Sequence, residues 1–301
     1  MSDSSRPSKK DIVAHYDAIA AGYEKQYDKD AIYTLEKYPA NYFRLKNLVS
    51  RLSDLNAKRV YEVGTGEGSP LVTIAKMGFD VAGCDISENM VSETQKKLVN
   101  MGLSQDQCRL GDIESFDSIS SQKSGGDFDV AFAFGVLPHV NDDLLTLQNM
   151  RKLLTSDGRV FVEFRNKVFS LFTFNRLTKK FIIEDILSGV DASVRDAVSE
   201  DLDKRLAMDQ PVSRDTIADG QPGYDAIVAN YHNPFEIPDL FEKAGFKNPR
   251  IHWYHYHPAP PMLEKNMKKE FRSAGIEMEG NTSDWRGYFL CSAGVVEAEV
   301  A

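Results

Sequence analysis

The stretch YEVGTGEGSP, residues 61–70, sets Gly64, Gly66 and Gly68 on alternate positions behind a β-favouring run, with Glu62 two residues before the first of them. A glycine permits positive φ and removes the side chain that would hold a ligand away. At a strand-to-helix turn it brings peptide N–H groups and a helix N-terminus up to that ligand. Two more acids stand at the ends of apolar runs, Asp85 in GCDIS and Asp112 in LGDIES. An acid at Glu62 would repel a pyrophosphate and attract an ammonium group, and the glycine spacing departs from the G-x-G-x-x-G of dinucleotide sites. Each feature has a plainer reading: a tight turn for the glycines, helix caps for Asp85 and Asp112, core for Ile86 and Ile113.

Histidines supply the second kind of chemistry. His139, in GVLPHV, follows Phe134 by five residues, and a near-neutral imidazole there suits a general base or a group that orients a substrate, with capping or packing as the alternative. His232 in NYHNPF is a second candidate. In HWYHYH, strand alternation puts His255 and His257 on one face and His252 on the other. Two histidines with no acidic partner argue weakly for a metal, so none is expected, and His255 reads as pocket lining or exposed edge. EFRN places Arg165 and Asn166 beside Glu163, where Arg165 could fork onto a phosphate or carboxylate, or pair within the protein.

These residues need elements to position them. Ser8 with Asp11 suits a capping box, and Ile12, Tyr16, Ile19, Tyr23 and Tyr27 recur at helical spacing; a second helix is expected over 40–52. From Arg59 short strands alternate with helices. They run RVYEV, a helix with Ser69 as cap and Pro70 first, DVAGCD, a helix capped by Ser87 and closed by Gly102, CRL, FDVAFAF, a helix capped by Asn141 with Leu144, Leu147 and Leu154 inward, and RVFVEF. Such alternation implies parallel pairing with right-handed crossovers, hence a doubly wound α/β sheet. It lapses over 165–234, which reads as a helical and loop insertion with Phe169, Phe172 and Phe174 as its apolar underside. It resumes with the helix IPDLFEKAGF, the strand RIHWYHYH, a connecting segment over 260–275 and the strand YFLCSAGVVEA. The expected division is a tail at 1–10, a core at 11–164, the insertion at 165–234 and the rest of the core at 235–301.

Composition bounds the partners. The 301 residues are 42% hydrophobic, enough for a full core, and the net charge of −9 disfavours duplex nucleic acid. No stretch approaches the ~20 apolar residues of a membrane span. Cys84, Cys108 and Cys291, an odd and scattered set, fit free thiols in a reducing cytoplasm. A cytoplasmic protein without a membrane partner is expected.

Together, EVGTGEG, GCDIS, LGDIES and FDVAFAFGVLPHV resemble the ordered motifs of the class I S-adenosylmethionine-dependent methyltransferases. The resemblance covers about residues 11–164, and 236–296 is similar to the family's last helix and antiparallel strand pair. It implies a mostly parallel seven-stranded, Rossmann-like sheet, a helical insertion after the fifth strand, and S-adenosyl-L-methionine as cofactor. By matching position, it implies that Glu62 with the backbone of Gly64, Thr65 and Gly66 holds the methionyl end, and that Gly68 allows close packing. Asp85 would accept from both ribose hydroxyls with Ile86 against the adenine. Asp112 would accept from the adenine amino group with Ile113 on the other ring face, and Phe134 would end the strand before the active site. Arg44 is a candidate for the cofactor carboxylate, and Tyr16 or Tyr23 for a lid, with a surface arginine and core tyrosines as alternatives. Inserts at 165–234 shape the acceptor pocket in the family, and here a lid and a homodimer surface both remain open.

The expected function is methyl transfer to a small-molecule acceptor at a hydroxyl oxygen of a sugar or biosynthetic intermediate. N-methylation is the nearest alternative. A non-catalytic cofactor-binding protein is the next, and a nicotinamide oxidoreductase fits the spacing poorly.

Overall fold

The protein is described by a computed structural model covering residues 8–19, 27, 31–34, 38–120, 127–206, 227 and 229–301. Tyr23 and residues 207–226 of the expected insertion lie outside the described residues. Seven strands form one sheet: β1 (Arg59–Val63), β2 (Asp80–Asp85), β3 (Cys108–Leu110), β4 (Phe128–Ala133), β5 (Leu154–Arg165), β6 (Phe246–Tyr256) and β7 (Cys291–Val300). Their order is β3-β2-β1-β4-β5-β7-β6, parallel from β3 to β5, with β7 antiparallel to both neighbours. This is the doubly wound, mostly parallel sheet expected from the alternation.

The helices follow in chain order as α1 (Lys9–Ile19), α2 (Ala31–Thr34), α3 (Ala40–Asp54), α4 (Ser69–Lys76), α5 (Glu88–Asn100), α6 (Phe116–Ser120) and α7 (Asp143–Leu153). After β5 come α8 (Ser170–Thr173), α9 (Arg176–Phe181), a π-turn over Ile182–Ile186, α10 (Ala192–Leu206) and α11 (Ile237–Lys243), then α12 (Lys268–Met278) and α13 (Gly287–Leu290). Strands with both faces covered read as continuous apolar runs, and period-2 alternation divides their side chains between two cores. Val60, Val130 and Phe132 pack with Leu48, Leu52, Leu71, Ile74 and Leu98 on one face. Tyr61, Val63, Ala131 and Val162 pack with Leu147, Met150 and Phe241 on the other.

Several local signals resolve differently from the expectation. Ser87 caps α5, accepting from the Met90 N–H at 3.1 Å as expected. The cap of α4 is Gly68, at φ 86°, one residue before the expected Ser69, whose hydroxyl and N–H both go to Glu67. The cap of α7 is Asp142, accepting from the Leu145 N–H at 2.9 Å, because Asn141 donates its own N–H and side-chain amide to Glu114. Leu154, expected on the inward face of this helix, is instead its C-cap and the first residue of β5. Only half of the Ser8 capping box forms, the Ser8 N–H donating to Asp11 Oδ2 at 2.7 Å while the Asp11 N–H turns to the Ser8 carbonyl. The expected connection over 260–275 is a 3-10 turn, Pro261–Asn266, and α12. Residues 288–290, expected in the last strand, are helical in α13, whose Gly287 packs so tightly on the Trp253 ring that a Cβ would collide with it. No described helix is long and apolar enough to cross a membrane, and among the described residues no group of three or more His, Cys, Asp or Glu could hold a metal. Cys84, Cys108 and Cys291 are free and buried.

Candidate active site

The carboxyl ends of β1, β2 and β4 and the loop after β3 open on one cavity of about 900 Å³, counting the part open to solvent. Of the sequence-predicted residues, Gly64, Thr65, Gly66, Asp85, Ile86, Asp112, Ile113, Phe134, His139 and Tyr16 line it together. Open α/β sheets bind ligands at this edge, where the strand order reverses between β1 and β4.

The glycines act mainly by their shape. Gly64, Gly66 and Gly68 have φ of 72°, 53° and 86°, values that favour glycine. A Cβ at Gly64 would collide with Val136, and one at Gly68 would come 2.8 Å from Thr94 Oγ1. Their N–H groups are spent within the protein: Gly64 donates to the Cys84 carbonyl at 2.8 Å and Gly66 to Asp85 Oδ2 at 2.8 Å. What these residues offer a ligand is therefore space, not the N–H donors anticipated from the sequence. Thr65 is turned inward, its hydroxyl 3.4 Å from both Cys108 Sγ and Thr94 Oγ1.

The acids differ in how they are held. Asp85 accepts from the Gly66 N–H and, at 2.9 Å, from the Ser87 N–H, which fixes its carboxylate at the cavity wall. Burial pushes its pKa up and those backbone donors pull against the shift. Glu62 does not line the cavity: it is 1% exposed, and its Oε2 is enclosed without a hydrogen-bond partner. Burial pushes Glu62 well above the ordinary range, with Arg44 opposing. A buried carboxylate oxygen without a donor is costly, and a ligand ammonium is the kind of group that would relieve it. Space beside the positive-φ glycines Gly64 and Gly66 and the oriented carboxylate of Asp85 on one cavity wall fit S-adenosylmethionine.

A family profile described as a methyltransferase domain matches residues 54–208. The chain belongs to this family. Among curated proteins it is 27% identical over 149 residues to the ubiquinone biosynthesis O-methyltransferase of Actinobacillus pleuropneumoniae, covering 50% of this chain and 63% of that one. It is 26% identical over 147 residues to the protein of the same description from Aromatoleum aromaticum, covering 49% and 61%. The chain thus spans about six-tenths of the length of these relatives. Among solved structures, the magnesium protoporphyrin IX methyltransferase of Synechocystis PCC 6803 with bound SAH superposes with a TM-score of 0.53 at 16% identity, over 98% of this chain and 100% of that one. A Thermotoga maritima S-adenosylmethionine-dependent methyltransferase, described as a possible histamine N-methyltransferase, gives 0.52 at 15% identity over 95% and 98%. At those identities the superpositions show the fold, which is that of the class I S-adenosylmethionine-dependent methyltransferases.

The methyltransferase cavity is roofed by α1, an element whose chemistry is only partly legible in the sequence. Lys9, Ile12 and Tyr16 line it from that helix. Lys9 Nζ lies 2.5 Å from Asp112 Oδ2 and 2.7 Å from Glu114 Oε2. Partial burial depresses the ammonium's pKa, but the two carboxylates outweigh this and raise it overall. Asp112, expected to meet an adenine amino group, thus already holds a cation. Asp17 accepts from the Ser87 hydroxyl, and Tyr16 meets His139. Glu114 is a site residue that the motifs alone do not single out. Besides Lys9 it accepts from the N–H groups of Asn141 and Asp142 at 3.0 and 2.8 Å, so it ties the roof to the loop after His139. Its signal in the sequence is the second acid of GDIES, two positions after Asp112.

The remaining candidates, Arg44 on α3, Arg165 and Asn166 at the end of β5, His232 in the loop before α11 and His255 on β6, lie outside the cavity lining. Arg44, a candidate for the cofactor carboxylate, instead forms a buried ion pair with Glu163, donates to the Tyr27 hydroxyl at 2.8 Å, and stacks 4.6 Å from the Phe134 ring centroid. It braces the wall from behind. Burial alone would raise Glu163, but Arg44 and Arg165 hold it below the usual range. Asn166 spends its side chain on the Tyr288 and Cys291 carbonyls and the Val168 N–H, which makes it a turn-builder rather than a substrate contact. His232 pairs with Asp143 at 3.0 Å and bridges to Asn166, joining the end of the insertion to α7 outside the cavity lining. Arg165 is half-buried beside these groups and acts on Glu163 and His255 through its charge. His255 stands in the left-handed region at φ 60°, stacks on Tyr38 and His257, and lies 2.8 Å from the Ser292 hydroxyl. Burial, then the neighbouring His257 and arginines, holds it well below the ordinary imidazole range, so it is neutral.

Proposed function

We propose that this protein transfers a methyl group from S-adenosylmethionine to a hydroxyl oxygen of a small-molecule acceptor, with His139 as the general base. The observation that carries the reading is that the Asp85 carboxylate and the His139 imidazole face one cavity. When bound, the cofactor supplies an electrophilic methyl group on a sulfonium. The chain's own task is to align the reactants, exclude water and take a proton. Asp85 would hold the ribose hydroxyls, Glu62 the ammonium, and Ile86 and Ile113 the faces of the base. An alcohol is a poor nucleophile while protonated, and His139, 7% exposed at the end of the 3-10 turn Leu137–His139, would take up that proton. The O-methyltransferase description of the curated relatives supports oxygen as the acceptor atom.

The test is an acceptor screen that follows release of S-adenosylhomocysteine, with the new methyl group located by mass spectrometry. Methylation at a hydroxyl that falls about 100-fold or more in His139→Gln supports the reading. Methylation at nitrogen with His139→Gln fully active would replace it.

A further inference from the structure

His139 has a partner that the proposed base role does not use. Its Nε2 lies 2.9 Å from the Tyr16 hydroxyl, 123 residues away, and the rings meet edge-on with centroids 5.7 Å apart. Both side chains line the same cavity. The two side chains sit on separate elements that share Glu114 as an anchor. Tyr16 is carried by α1, which is fastened through Lys9 to Asp112 and Glu114 and through Asp17 to Ser87. The His139 turn is fastened by Glu114 at Asn141 and Asp142, and by Asn230, whose N–H donates to the Pro138 carbonyl at 2.7 Å and whose side chain donates to the Val140 carbonyl at 2.9 Å. The contact between hydroxyl and imidazole is thus determined from both sides.

Because Nε2 already meets the tyrosine, an acceptor cannot reach that nitrogen without displacing Tyr16. We propose that Tyr16 is a catalytic residue that relays the acceptor's proton to His139. This rests on the base role of His139 proposed above. As the carbon–oxygen bond forms and the carbon–sulfur bond breaks, the acceptor's hydroxyl proton passes to Tyr16 Oη and the tyrosine's own proton passes to His139 Nε2. The positive charge that leaves sulfur ends on the imidazolium, and the tyrosine is restored in its neutral form. No phenolate with its ordinary pKa near 10 has to persist. The relay requires the tautomer with the proton on Nδ1, leaving Nε2 as the acceptor. It also makes the base complete only when α1 is seated over the cofactor.

The experiment is nitrogen-15 histidine NMR on the full chain saturated with S-adenosylhomocysteine, in wild type and Tyr16→Phe, with His139→Gln for assignment. The relay predicts a neutral His139 protonated at Nδ1, with an Nε2 resonance that moves toward that of a free imidazole in Tyr16→Phe. Protonation at Nε2, or an unchanged resonance in the variant, overturns it. Loss of the thermal stabilisation by S-adenosylhomocysteine in Tyr16→Phe would assign the tyrosine to cofactor holding and also overturn it. With an acceptor from the screen, Tyr16→Phe should slow single-turnover transfer by about 100-fold, and the solvent isotope dependence should fall from two protons in flight to one. If His139→Gln transfers at the wild-type rate, the base role itself fails. If His139→Gln is inactive while Tyr16→Phe is not, only the relay fails.

Discussion

The carboxylates on the cofactor side of the sheet and those on the β5, β7 and β6 rim are buried by different means. Asp85 is gripped by the N–H groups of Gly66 and Ser87, and Glu114 by those of Asn141 and Asp142, all close in the chain or on adjoining loops. Glu163 relies on Arg44, and Glu297 on Arg51, Arg159 and His252, side chains brought from far along the chain. Backbone donors survive any substitution but proline and leave a carboxylate oriented for a ligand. Side-chain partners neutralise a charge and tie distant elements together, which makes the rim a brace first.

Breaking the brace should have the largest effect. Arg44→Met removes the buried ion-pair partner of Glu163, and breaking such a pair costs about 3–5 kcal/mol, readable by denaturant unfolding. The double variant with Glu163→Gln should recover much of that loss; a loss below about 1 kcal/mol in the single variant would show that the rim is not braced by this pair. Next in size is the pH dependence at Glu279. Burial pushes its carboxyl up to about 7, against an ordinary value of 4.5. A raised acid favours the protonated folded form, so its contribution is intact below pH 4.5, is lost as pH rises to about 7, and stays lost above; the total is roughly 3 kcal/mol. Glu279→Gln should therefore be more stable than wild type at pH 8 by most of that amount and similar at pH 4, and parallel unfolding curves for the two proteins across this range would refute the assignment.

The smallest effect should come from the roof. Lys9→Met removes a partly exposed ion pair with Asp112 and Glu114, for which about 0–1 kcal/mol is expected. Its signature is in cofactor affinity and its salt dependence rather than in unfolding. A change above tenfold in affinity would mean that Lys9 contributes to the site itself.

The same contrast separates what is legible in the amino-acid sequence from what is not. The succession of strands and helices along the chain and the placement of Asp85, Asp112 and His139 follow from apolar runs and from acids at their ends, because a strand and its following loop are encoded within a few residues. The Ser87 cap is readable for the same reason. The expected Asn141 cap gives way because both Asn141 and Asp142 can cap, and the Asn141 side-chain amide is engaged by Glu114, from another loop. Arg44 looks available for a cofactor carboxylate in the sequence because its partner is 119 residues away, and nothing near Asn166 announces that Tyr288 and Cys291 use its amide. The roles of Lys9 and Glu114 emerge only once α1 lies across the cavity.

The central claim is that a carboxylate oriented by backbone at residue 85 grips the ribose of S-adenosylmethionine. Titration calorimetry of S-adenosylhomocysteine into wild type and Asp85→Ala, each checked for folding, tests it most directly. The account predicts one site in wild type and an affinity about 100-fold weaker in the variant, the scale of losing two hydrogen bonds to a charged group. Equal affinity in the two folded proteins, or no binding to either, would contradict it.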